Sequence, residues 1–273
     1  MTGLPFPDID PVAIAIGPIA IRWYALAYIA GLLLGWRYVV ALARRHPLGL
    51  DERAIDDLLV WVTFGVILGG RFGYVLFYRP DYYVDHLLEI PMVWKGGMSF
   101  HGGLLGVAVS MYLFARAKGV APLTVGDLVA AAAPIGLFFG RIANFINGEL
   151  WGRPTDLPWG IIFPMGGPEP RHPSQIYEAL LEGALLFAVL WVIARKPSTW
   201  ARPGLLAGIF LIGYAITRSI AELFRMPDAF LGFLAAGLTM GQLLSLPMFL
   251  IGVYLVLQAR GRDTGAGTGR RAG

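Results

Sequence analysis

Gly140-Arg141-Ile142-Ala143-Asn144-Phe145-Ile146-Asn147-Gly148-Glu149-Leu150-Trp151-Gly152-Arg153 closes a run, residues 123–139, that is almost wholly apolar. A run of that kind reads as a buried or membrane-spanning helix, since about 20 mainly apolar residues cross a bilayer. At its end, within nine residues, the chain places an arginine, two asparagines and a glutamate. If the helix continues, Arg141, Asn144 and Gly148 share one face. Five guanidinium donors, an amide and a bare backbone on that face suit a phosphate or a carboxylate. A single arginine there would be read as a polar helix end reaching an interface; the whole cluster calls for more.

Working outward, the composition sets the solvent. The 273 residues are 56% hydrophobic and 15% charged, against about 25% charged in soluble domains. The sequence is that of an all-α integral membrane protein. It has no cysteine, hence no disulfide and no thiol nucleophile of its own. Residues 1–17 carry Asp8 and Asp10 but no Lys or Arg, so no secretory signal is expected. Seven candidate spans are expected at roughly 18–42, 55–78, 99–117, 124–147, 174–195, 204–224 and 238–259. Arg44-Arg45-His46-Pro47, Arg79-Pro80-Asp81 and Lys196-Pro197 are among the turn signals between them. With the N-terminus outside, twelve Lys and Arg fall in inner segments and five in outer ones. That asymmetry places the N-terminus outside and the C-terminus in the cytoplasm. Residues 148–173, rich in Pro, Gly and Trp, read as a small outer cap, and 79–98 as an interfacial arm. Residues 260–273 read as a disordered basic tail suited to anionic lipid headgroups. The net charge of +4 belongs to that distribution and not to nucleic acid.

In this orientation the polar residues of the spans gather in the outer half. Tyr24 and Tyr28 lie on the first helix, Arg71 on the second, and His101 at the start of the third. Gln175, Glu178 and Glu182 share a face of the fifth; Tyr214, Arg218, Glu222 and Arg225 share a face of the sixth. A charge at the bilayer centre costs about 2.5–3.5 kcal/mol on the insertion scale, so these groups pair or line a wet cavity. Internal ion pairs, such as Arg218 with Glu222 or Arg71 with Glu178, are the plain structural reading. Pairing alone gives no reason for one common depth; a polar chamber open to the outer leaflet does. His101, flanked by Gly96-Gly97 and Gly102-Gly103, is either a packing residue or a general base. No HExxH, Cys cluster or paired His occurs, so no metal or cofactor is expected.

Together these residues resemble the prolipoprotein diacylglyceryl transferase family. The likeness runs over about residues 15–258. It rests on Gly-Arg-x-x-Asn-Phe-x-Asn-x-Glu-x-x-Gly at 140–152, Ser99-Phe100-His101-Gly102-Gly103-Leu104 and Arg171-His172-Pro173-Ser174-Gln175-x-Tyr177-Glu178. Ile21-Arg22-Trp23-Tyr24 and the block from Arg218 to Asp228 add to it. Thr217-Arg218-Ser219 departs from the Gly-Arg-Phe expected there. The resemblance implies seven spans and a place in the bacterial plasma membrane. It also implies transfer of the diacylglyceryl group of phosphatidylglycerol to the lipobox cysteine of a prolipoprotein signal peptide. The residues it marks are Tyr24, His101, Arg141, Asn144, Glu149, Gly152, Glu178, Tyr214, Arg218 and Glu222. Arg141 and Arg218 would hold the lipid phosphate, Asn144, Tyr24 and Tyr214 would add contacts, and the glutamates would orient the guanidiniums. His101 is the candidate base, Tyr24 its rival; the base is dispensable if the arginines lower the thiol pKa enough. An anion transporter would need polar residues in both halves of the bundle, and a scaffold leaves the chamber unexplained.

Overall fold

The computed structural model describes residues 3–7, 9–17, 19–227 and 237–268. Asp228, which closes the last family block, and residues 269–273 of the tail lie outside the described residues. The chain is predominantly helical. Among the described residues, six helices are long and apolar enough to cross a membrane: α1 (Trp23–Arg45), α2 (Glu52–Phe77), α4 (Phe100–Lys118), α5 (Pro122–Ile146), the continuous helix Ser174–Ala194, and α10 over Met240–Gly261. A seventh apolar helix, α9 (Leu205–Ala221), has 17 residues. Their outward faces are apolar: Leu33, Phe64, Leu68, Phe72, Leu105 and Leu250 are all about half exposed or more. Water would not tolerate such rows, and lipid does. The chain forms two compact units, one of residues 39–126 and one of residues 1–38 with 127–273.

In the 39–126 unit, α2 and α4 meet along glycines. A Cβ on Gly69 would stand 2.8 Å from the Gly106 Cα, and one on Gly73 2.8 Å from the Gly102 Cα. Small residues let the two backbones touch, which is how helices associate where lipid removes the hydrophobic drive. Asp51 caps α2 by accepting the Ala54 N–H at 2.8 Å. Ser99 caps α4 by accepting the Gly102 N–H at 3.1 Å. The arm between them holds α3 (Pro80–Asp85) and two short 3-10 turns. It is tied down by Arg71, 3% exposed, whose guanidinium donates to the carbonyls of Glu89 (2.7 Å), Ile90 (2.6 Å), Gly96 and Gly97. Four backbone carbonyls thus take up this buried guanidinium within its own unit.

In the other unit, β1 (Leu4–Pro5) runs parallel to β4 (Ile161–Ile162), and β2 (Val12–Ile16) pairs with β3 (Ile19–Arg22). The segment 148–173 folds around Phe163, fully buried among the rings of Phe6, Phe145 and Trp151. Bridges link Gly152 to Arg225 and Arg171 to both Pro154 and Ile161. The helix Ser174–Ala194 is built from α6 (Ser174–Glu178), a π-helical stretch (Ala179–Leu185) and α7 (Leu186–Ala194). A short α8 (Pro197–Trp200) leads into α9, and α9 packs on α10 where a Cβ on Gly208 would meet the Gly252 carbonyl at 2.8 Å. Two expectations change here. The polar end of α5 is not helical to Gly148, because α5 stops at Ile146 and Gly148 takes φ 65° in a left-handed turn, a conformation that glycine adopts freely. And α10 is described as far as Thr268, so the helix runs on past residue 260, where the tail was expected to be disordered.

Candidate active site

The functional side chains stand where α5 ends, α6 begins and α9 ends. Arg141 projects from the last turn but one of α5. Its Nε lies 2.7 Å from Glu178 Oε2 and its Nη2 3.3 Å from Glu182 Oε2. Arg218, on α9, reaches the same two carboxylates, Glu178 at 3.1 Å and Glu182 at 3.5 Å, and also pairs with Glu222 one turn on. Arg225 closes the set, 3.3 Å from Glu178 Oε1 and 3.9 Å from Glu222. Three arginines thus face three glutamates. The acids are sealed: Glu182 is fully buried, Glu178 1% and Glu222 3% exposed. The side chains of Arg141 and Arg218 keep 18% and 13% of their surface exposed. Burying one charge unpaired would cost several kcal/mol, so the network is held as a whole or not at all.

The π-helical stretch explains how one helix serves two arginines. Such turns are rare and concentrate at functional sites. Here the widened turn carries Glu182, four residues after Glu178, between Arg141 and Arg218. Gly183 admits the neighbouring helix, since a Cβ there would meet the Phe138 backbone of α5 at 2.8 Å. Tyr214, one turn before Arg218, lies within electrostatic reach of Glu182, Arg218 and Arg141.

A second polar set shares the end of α5. Asn144, one turn after Arg141, donates to Glu149 Oε1 at 2.8 Å. Asn144 and Tyr28 lie beside Tyr24, whose ring lies 5.0 Å from that of Tyr28. Gln175 donates to the Glu149 carbonyl, and Ser174 to the Leu150 carbonyl at 3.0 Å. Arg153 reaches back to the end of α9, donating to the carbonyl of its C-cap Glu222 at 3.1 Å and, beyond it, to that of Arg225 at 3.0 Å. The Glu222 carbonyl lies at the negative end of the α9 dipole, so a cation suits it. His172, which shares a hydrogen bond of 3.2 Å with the Tyr177 hydroxyl, is held below the usual imidazole pKa by burial.

The structure therefore brings Arg141, Glu178, Arg218, Glu222 and Tyr214 into one network and Tyr24, Asn144 and Glu149 into another beside it. Residue Gly152 is explained by space: a Cβ would stand 2.6 Å from the carbonyl oxygens of His172 and Phe224. His101 belongs to the 39–126 unit, exposed on the first turn of α4 with the Phe100 ring edge-on to it. Sequence reasoning left Glu182 and Arg225 out of the site, though both lay on the faces it drew. It missed Arg153, whose partners are carbonyls.

A model of the family described as prolipoprotein diacylglyceryl transferase matches residues 11–258. The chain belongs to the prolipoprotein diacylglyceryl transferase family. A phosphatidylglycerol–prolipoprotein diacylglyceryl transferase of Azospirillum brasilense is 60% identical over 264 residues, 96% of this chain and 98% of its own. Proteins of the same name from Paramagnetospirillum magneticum and Rhodospirillum rubrum are 60% and 59% identical, over 96% and 94% of this chain and 98% and 94% of theirs. The family match spans both polar networks and the Gly152 turn that binds them to the 148–173 segment.

That turn yields a direct test. Gly152→Ala forces a methyl group into two carbonyls, an overpacking that costs about 1–3 kcal/mol. The thermal unfolding midpoint should fall and activity per folded molecule should drop with it. An unchanged midpoint would mean that the bridge to Arg225 carries no load.

Proposed function

We propose that this chain transfers the diacylglyceryl group of phosphatidylglycerol to the thiol of a lipobox cysteine in a prolipoprotein signal peptide. The sulfur forms a bond to the glyceryl C3 carbon, the C3–oxygen bond to phosphate breaks, and glycerol phosphate leaves with the electron pair. The observation that carries this reading is the pair of arginines, Arg141 and Arg218, held side by side on buried Glu178 and Glu182 with part of each side chain exposed. Relatives about 60% identical over nearly their whole length bear the name of this activity.

The roles follow from charge. Three glutamates neutralise three arginines, so a phosphodiester entering the site is held by directed hydrogen bonds more than by net charge. As the C–O bond breaks, negative charge grows on the phosphate, and two preorganised forks stabilise it most at that moment. Asn144, Tyr24 and Tyr214 supply further contacts to the headgroup. Glu149 orients Asn144, and Glu178, Glu182 and Glu222 aim the arginines. The thiol proton goes to His101, assigned on its family motif alone. The protein sits in the bacterial plasma membrane with seven crossings, α9 included, the N-terminus outside, the C-terminus cytoplasmic, 148–173 as an outer cap and the site in the outer half. The twelve-to-five distribution of Lys and Arg supports that orientation.

The deciding experiment gives purified protein in detergent with phosphatidylglycerol a lipobox peptide and weighs the peptide. The expected result is a gain of one diacylglyceryl group; no gain overturns the reading. Arg141→Lys and Arg218→Lys should each lower turnover at least about tenfold while the protein folds, because lysine offers a point charge in place of a planar fork. Full turnover in either variant removes that residue from the clamp. Orientation is read by single cysteines: positions 10 and 165 should label from outside and 198 only from inside, and outside labelling at 198 reverses the topology.

A further inference from the structure

Asp127 is a buried carboxylate that the transfer chemistry does not use. It lies near the start of α5, at the opposite end from Arg141, and is 1% exposed. Its Oδ2 accepts the Gly204 N–H at 2.7 Å and its Oδ1 the Ala207 N–H at 2.8 Å. These are the N-cap residue and the third residue of α9. The first N–H groups of a helix have no partners of their own, and a side chain at the N-cap normally supplies one. Gly204, at φ 96°, has no side chain to supply. The cap comes instead from a neighbouring helix, with a negative charge on the positive end of the α9 dipole.

A cap borrowed from another helix does more than stabilise; it fixes height. The end of α7 is gathered into the same turn, where Thr199 donates to the Ile193 carbonyl at 2.8 Å and Trp200 to the Ala194 carbonyl at 2.9 Å. Arg141 follows Asp127 by fourteen residues, and Arg218 follows Gly204 by fourteen. Glu182 and Glu178 precede Ala194 by twelve and sixteen. At about 1.5 Å per residue, α5 and α9 each carry their arginine about 21 Å from the levelled end, and Glu182 and Glu178 stand at about 18 and 24 Å, on either side of that height.

We propose that Asp127 is a positioning residue: by capping α9 it sets the axial register of α9 against α5, and so brings Arg218 level with Arg141 across Glu178. The inference rests on the reading of that arginine pair as the phosphate clamp. A slip of one residue would move Arg218 by about 1.5 Å and turn it by about 100°, and misplacements near 1 Å can cost about a hundredfold in rate.

The test uses Asp127→Asn, in which one acceptor oxygen remains and the other becomes a donor facing an N–H, with Asp127→Ala beside it. Kinetics with phosphatidylglycerol and a lipobox peptide are measured for each, alone and combined with Arg218→Lys. Turnover for Asp127→Asn should fall about tenfold with KM for the lipid within about twofold. In the Arg218→Lys background the same change should cost less than about threefold, because the geometry that Asp127 guards is already lost. Equal losses in both backgrounds, or full turnover in Asp127→Asn, overturn the proposal. A second arm does not depend on transfer. Spin labels on cysteines at positions 137 and 216, introduced into this cysteine-free chain, report the spacing of α5 and α9. The distance distribution should shift or broaden by about 1.5 Å or more in Asp127→Asn; an unchanged distribution in folded protein overturns the register role. If Asp127→Ala fails to fold, Asp127→Asn carries both arms. Absence of transfer in the unmodified protein would fail the transfer reading, while the distances still decide on Asp127.

Discussion

An arginine inside a membrane-spanning bundle has to bring its counter-charge with it. Water is absent, and an unpaired charge costs several kcal/mol. Arg141 and Arg218 meet that constraint by sharing Glu178 and Glu182, which sit on a single helix between them. Much of the surrounding structure serves this sharing. The π-helical stretch sets Glu182 between the two arginines, Gly183 lets α5 come close enough, and Arg153 ties off the end of α9 beside Glu222. Replacing the set by apolar residues of similar volume could leave a fold no less stable. Its presence is therefore best understood through what two partly exposed arginines can bind.

Arg71 solves the same problem without an acid. Its donors fan out to carbonyls of one loop, so a charge buried in the 39–126 unit becomes a clamp on the arm that precedes α4. The contrast separates two uses of arginine. Where the donors are spent on backbone, the residue organises a loop. Where carboxylates hold the guanidinium and part of the side chain stays exposed, the residue is available to a ligand. Asp127 adds the inverse case, a buried anion spent wholly on the backbone donors that open α9.

The fold class was legible because apolar runs of spanning length need no partner to be recognised. The site was legible in part. Gln175, Glu178 and Glu182 fall on one helical face, and Arg218 and Glu222 stand one turn apart, so periodicity alone groups them. The 140–152 signature marked Arg141, Asn144, Glu149 and Gly152. The rest was hidden for physical reasons. Backbone carbonyls and amides carry no sequence signal, so the partners of Arg71, Arg153 and Asp127 could not be read. A π-helical stretch leaves no mark in the apolar pattern, and the stop of α5 at Ile146 depends on the left-handed turn at Gly148. Asp127 sits in an apolar run as one acid among alanines and leucines, with its purpose in a helix some 77 residues later.

The central claim is that Arg141 and Arg218 together receive the lipid phosphate. A structure determined with phosphatidylglycerol bound tests it most directly. The expected result is a phosphate with oxygens about 3 Å from both guanidiniums, Glu178 and Glu182 still holding their far sides, and the glyceryl C3 carbon facing open space. A lipid whose phosphate lies away from both arginines, with their ion pairs undisturbed, would contradict the account and return the network to a purely structural role.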